Sequence, residues 1–166
     1  MAQYTWSGVI CLMLFTTLSS LAQNEATNEL QIRDVSGQPI TLKAPDLAAM
    51  PRITFRAKER DSTEHTYTGV SLSALLARVK APLGRQLGGK ALANYLLAEA
   101  ADGYQVVFAL PELDSLFARQ VIFLADQRDG QPLPTGQGPY RIIVPQETKQ
   151  ARWVRQVIRL SVLTAK

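Results

Sequence analysis

Apolar residues fall into short runs along this chain, and their spacing changes from run to run. Residues 30–35 alternate apolar and polar, Ser36-Gly37 supplies a turn, and residues 39–42 alternate again, which predicts a first hairpin. Residues 44–50 predict one helical turn, ended by Pro51. Residues 52–57 read as a strand with Ile53 and Phe55 on one face. A charged turn follows at 58–63, and extended structure resumes at 65–68. Ser71 then stands at an N-cap position, with Leu72, Leu75, Leu76 and Val79 at i, i+3, i+4 and i+7 behind it. That helix must end before Pro82, and Gly84, Gly88 and Gly89 mark an irregular connection.

The second half is richer in strands. Residues 95–100 and 104–109 are apolar runs around Asp102-Gly103, a dipeptide that favours a tight hairpin reversal. Residues 111–117 predict a short helix with Pro at an early position. Residues 121–125 form a continuous apolar run suited to a buried strand, and Asp126 and Asp129 read as turn residues around Gly130, Pro132 and Pro134. Residues 141–144 and 157–162 predict the last two strands, with Arg155 and Arg159 as solvated positions between Val154, Ile158 and Leu160. Many short strands with few short helices predict an α+β fold, a mixed β-sheet rather than a doubly wound one.

The N-terminus stands apart. The first 22 residues carry no Lys, Arg, Asp or Glu, residues 9–18 are almost all apolar, and Ser20-Leu21-Ala22 offers small residues before a cleavage point. The segment reads as a signal peptide at 1–22, followed by a single domain at 23–166 in the periplasm or outside the cell. The apolar run is shorter than the roughly 20 residues a spanning helix needs, so no membrane attachment is expected after cleavage. Cys11, the only cysteine, would leave with the leader, which removes disulfides, thiolate-held metals and thiol catalysis from residues 23–166. The net charge of +4 is mild and its cations are interspersed with acids, so nucleic acid is excluded as the expected partner.

Four blocks carry a family likeness: YTGVSLSALL (67–76), ADGYQVVF (101–108), LADQRDGQPLP (124–134) and GQGPYRIIVP (136–145), the last followed by RWVRQVIRL (152–160). In this order and spacing they resemble the sulfite-oxidase-like molybdopterin-binding domain of oxidoreductases, over most of residues 52–162. The resemblance implies an α+β fold that, in the enzymes, holds a molybdenum–pterin cofactor through basic side chains and backbone amides. The enzymes also place a cysteine on the metal, upstream of the Tyr-x-Gly-Val block. Here that region holds Arg52, Arg56 and Arg60 but no thiol, and no histidine stands near Gly136. A soft thiolate tunes such a metal, and an imidazole or hydroxyl would replace it poorly. The chain thus resembles a compact, stand-alone relative of the domain.

Arg141 and Arg152 are the candidate cofactor-binding residues. Arg141 matches the arginine of the family string. Its guanidinium fork suits phosphate, and it follows a Gly-x-Gly-Pro turn whose amides could face an anion. A structural arginine satisfied by a carboxylate or by loop carbonyls is the competing reading. Arg152 stands where the family has a lysine before Trp153, with the same two readings; Trp153 itself is expected in the core or at its rim. His65, the only histidine, is expected at the surface. Glu112 and Asp114 lie on opposite sides of a short helix and form no acid dyad. Ser71 and Ser73 lack a Ser-His-Asp context. No catalytic residue and no metal ligand is assigned.

The expectation is an exported binding or interaction module without redox chemistry of its own. Its candidate partners are an anionic small molecule or the pterin, and a periplasmic protein. The alternatives are a molybdopterin-dependent oxidoreductase with a non-cysteine metal site, and an accessory subunit of a periplasmic redox or sensory complex.

Overall fold

The computed structural model describes residues 28–165. The expected signal peptide lies outside them. The described residues form two five-stranded sheets around one hydrophobic core. This agrees with the expected α+β class.

The first sheet has the order β2-β1-β10-β5-β6. The predicted first hairpin is β1 (Glu29–Arg33) and β2 (Pro39–Lys43). β1 buries Leu30 and Ile32 and exposes Glu29 and Gln31, as its alternation demands. It pairs parallel with β10 (Val157–Thr164), the one parallel contact between strands among the described residues. β10 runs antiparallel to β5 (Asn94–Ala100), which turns into β6 (Gln105–Ala109). The reversal uses Gly103 at φ +85°, and the Asp102 carboxylate accepts from the Tyr104 amide at 2.9 Å.

In the second sheet β3 (Ile53–Lys58) and β4 (Glu64–Ser71) form a hairpin, and β4 pairs with β7 (Phe123–Arg128). The far edge of β7 is shared end to end by β8 (Gln131–Pro132) and β9 (Arg141–Ile143). A bulge at Thr68/Gly69 brings β4 against β7 so closely that a Cβ on Gly69 would sit 2.0 Å from the Leu124 carbonyl oxygen. The glycine of the Tyr-x-Gly-Val block is therefore a packing requirement.

Helices are few and short. α1 (Ala44–Ala48) is the single turn expected, with Asp46 accepting from the Lys43 amide at 2.8 Å. α2 (Leu72–Arg78) starts as predicted, the Ser71 hydroxyl accepting from the Ala74 amide at 3.2 Å. It buries Leu72, Leu75 and Leu76 completely, each worth about 1.5–3 kcal/mol.

Three local expectations are corrected. The helix expected over 111–117 is only α3 (Leu110–Leu113), because the buried Asp114 carboxylate accepts from the Leu116 amide and from the Gly84 amide and ends it. Asp126 is not a turn residue; it lies within β7 and grips Arg52 in a two-pronged ion pair. A bulge between Val157 and Arg159 breaks the expected alternation in β10, leaving Ile158 40% exposed, while Arg155 falls before the strand.

Candidate functional site

The two sheets meet at a corner built by the C-terminal string. Segments 137–142 and 154–157 are stapled together by three backbone bonds: Gln156 donates to Gln137 at 3.0 Å, Val157 to Tyr140 at 2.9 Å, and Ile142 to Val154 at 2.8 Å. Trp153, 5% exposed, donates its indole N–H to the Val144 carbonyl at 3.0 Å. It belongs to the core, as expected. This frame fixes Arg141 at the first position of β9.

Arg141 is only 1% exposed. Its Nη1 donates to Glu59 Oε1 at 2.7 Å, to the Tyr67 hydroxyl at 3.1 Å and to Gln137 Oε1 at 2.6 Å. Its guanidinium lies 5.6 Å from the Tyr67 ring centre and 5.4 Å from that of Trp153. Tyr67 also donates its hydroxyl to Glu59. The same group thus serves as a structural arginine satisfied by a carboxylate. Its Nε is buried and has no partner among the described residues.

Glu59 is the residue that sequence reasoning missed. It opens the turn between β3 and β4 and turns inward, 16% exposed at its side chain. Burial pushes its carboxyl up, but hydrogen bonds from Tyr67 and Arg141 and the charges of Arg141 and Arg128 outweigh that and hold it below the ordinary carboxylate range. Burial, and then the bond to Glu59, pushes the Tyr67 hydroxyl up to about 12, so Tyr67 stays a proton donor. The signal for Glu59 was its parity: it continues the two-residue period of Ile53, Phe55 and Ala57.

Arg141 also lines a cavity of about 390 Å³ at this corner. The wall includes Arg60 from the β3–β4 turn, Asp102 and Tyr104 from the β5–β6 hairpin, Gly136, and Arg155 with Trp153. Arg60 and Arg155 are exposed and have no acid partner among the described residues. Three guanidiniums line the cavity, with Arg141 already paired to Glu59, so Arg60 and Arg155 face one wall acid, Asp102.

Arg152 goes elsewhere. It does not line this cavity. Its Nη1 meets both oxygens of Glu112 at 3.0 and 3.1 Å, its Nε donates to Glu147 at 2.5 Å, and it lies 4.7 Å over the Phe108 ring. Glu112 and Asp114 serve different partners and make no dyad. His65 is held by Asp129 at 2.6 Å on the rim of the second sheet.

This chain belongs to the oxidoreductase molybdopterin-binding-domain family, whose family model matches residues 18–166. Among solved structures it is similar to the sulfane dehydrogenase SoxCD from Paracoccus pantotrophus, with 24% identity and a TM-score of 0.62. That match covers 81% of this chain and 38% of the SoxCD chain, and it supports the fold alone. No curated protein matches the chain.

The residues present fit one part of the family's cofactor and not the other. Guanidiniums around the cavity suit a phosphate or similar oxyanion. Among the described residues molybdenum has no matching donor set: the sole cysteine, Cys11, lies outside them, and they hold no cluster of three His, Cys, Asp or Glu that could bind a metal ion.

Proposed function

We propose that this protein is an exported binding module on the molybdopterin-binding fold, which holds an anionic small molecule and performs no redox chemistry of its own. The observation that carries this reading is the cavity walled by Arg60, Arg141 and Arg155 beside a fold corner with no thiol for a metal among the described residues. Arg60 and Arg155 supply exposed charge with no acid partner among the described residues, while Arg141, paired with Glu59, forms the fixed floor beneath them. Export rests on the uncharged apolar leader before Gln23. Residues 28–165 contain no helix long and apolar enough to cross a membrane.

Two measurements test the reading. Metal analysis of protein recovered from its native compartment is expected to find no stoichiometric molybdenum; a molybdenum–pterin signature at one per chain would overturn the non-redox reading. A thermal-shift series with phosphate, sulfate and nucleotides tests the cavity. A ligand at about 100 times its Kd should stabilise the native state by about 2.7 kcal/mol. Arg60→Ala and Arg155→Ala should each shrink that shift, and shifts equal to wild type in both would place the anion elsewhere.

A further inference from the structure

We propose that the arginine cavity is one lobe of a longer cationic cleft, whose ligand carries at least two anionic groups, as a polyphosphate or a phosphorylated small molecule does. This deepens the anion-binding reading above and rests on it. A second cavity of about 620 Å³ shares Arg60, Gln150, Ala151 and Trp153 with the first. It continues past Lys58 and Lys149 toward Pro145.

Charge is spread along this cleft rather than gathered at one point. Arg155 lines only the first lobe, Lys149 only the second, and Arg60 lines both. None of the three has an acid partner among the described residues. Two of the acids at the walls are ion-paired, and Asp102 keeps its charge. Glu59 takes Arg141 and Tyr67, Glu147 takes Arg152, and Asp102 accepts from the Tyr104 amide. One oxyanion can neutralise one lobe and leaves the other cation exposed. A second anionic group on the same molecule reaches the other lobe as an intramolecular event, at a high effective concentration.

The joint between the lobes is held in place from both sides. Gln150 donates its side-chain amide to the Lys58 carbonyl at 2.5 Å, and the Tyr104 hydroxyl donates to the Ala151 carbonyl at 2.9 Å. The cleft walls are therefore set before a ligand arrives, which lowers the entropy lost on binding.

Titration calorimetry of the purified protein with inorganic phosphate and with tripolyphosphate tests this. Tripolyphosphate should bind one per chain and about tenfold or more tighter than phosphate. Lys149→Ala should weaken tripolyphosphate about fivefold and leave phosphate within about twofold. Lys90→Ala removes the same charge from an exposed position that lines neither lobe, and should change neither affinity. Equal losses in the two lysine variants, or two tripolyphosphates per chain, would overturn the cleft. So would tripolyphosphate binding no tighter than phosphate, which would leave the single-anion cavity standing. Failure of both ions to bind would remove the cavity reading itself.

Discussion

Replacing Arg141, a buried residue at the floor of the cavity, by alanine should destabilise this protein severely. The guanidinium sits 1% exposed, 2.7 Å from Glu59 Oε1, with Tyr67 and Gln137 on the same nitrogen. At that distance the gross attraction is roughly 6 kcal/mol for an effective dielectric near 20, and desolvation of both ions offsets much of it. Removing one partner is costlier than the net worth of the pair, because Glu59 is then left partly buried without its main counter-charge. Arg141→Ala should therefore lose about 3–5 kcal/mol. Glu59→Gln keeps an acceptor for Tyr67 and Arg141 and should lose about 1.5–3 kcal/mol. Since both variants dismantle one contact, the double variant should lose at least about 1 kcal/mol less than the sum.

Urea unfolding at neutral pH and fixed salt reads these values directly. A pH series adds an independent readout. The folded Glu59 carboxyl lies below its ordinary value of 4.5, so its contribution is fully present above that pH and is lost as pH falls through the folded value. Wild type should lose stability on acidification more steeply than Glu59→Gln in that window. A loss below about 1 kcal/mol in Arg141→Ala, additive single variants, or identical acid limbs would refute the reasoning. The same numbers explain why ligand tests belong on Arg60 and Arg155: substituting Arg141 should alter the fold's stability along with the cavity.

Two further substitutions test the frame around the site. Gly69→Ala puts a methyl group 2.0 Å from the Leu124 carbonyl oxygen, and both neighbours are backbone, so it should cost about 3 kcal/mol or more and be visible as a fall in the urea midpoint. Ser71→Ala removes the cap on Ala74 N and should cost about 1 kcal/mol by the same assay, with no change in anion binding.

Local pattern carried most of the fold because most elements here are local hairpins. β1–β2, β3–β4 and β5–β6 each pair neighbours in sequence, and their turns carry Gly37, Ser62 and Gly103 at positive φ. The α2 start was legible for the same reason: Ser71 and the leucines of its first turns act within a few residues. Pattern failed where a distant partner intervened. α3 stops short because Asp114 is drawn to the Gly84 amide, thirty positions earlier. Asp126 escapes its turn because Arg52 reaches across 74 positions to hold it.

The site follows the same division. Arg141 was legible because it sits in a local string, Gly-Pro-Tyr-Arg, whose turn and strand are fixed within ten residues. Its counter-ion lies 82 positions upstream, in a turn that reads only as charged. A buried guanidinium must be compensated from somewhere. Here Glu59 meets that demand from inside the chain, with Tyr67 and Gln137 as further acceptors. A fold corner neutralised in this way needs no outside anion to balance Arg141. The unpaired cations, Arg60, Arg155 and Lys149, carry no such structural duty in the described residues, and a carboxylate already satisfies the residue beneath them. On the proposed reading, anion affinity rests on the exposed cations and stability on Arg141, so the two groups of residues should separate cleanly when stability and anion affinity are measured on the same variants.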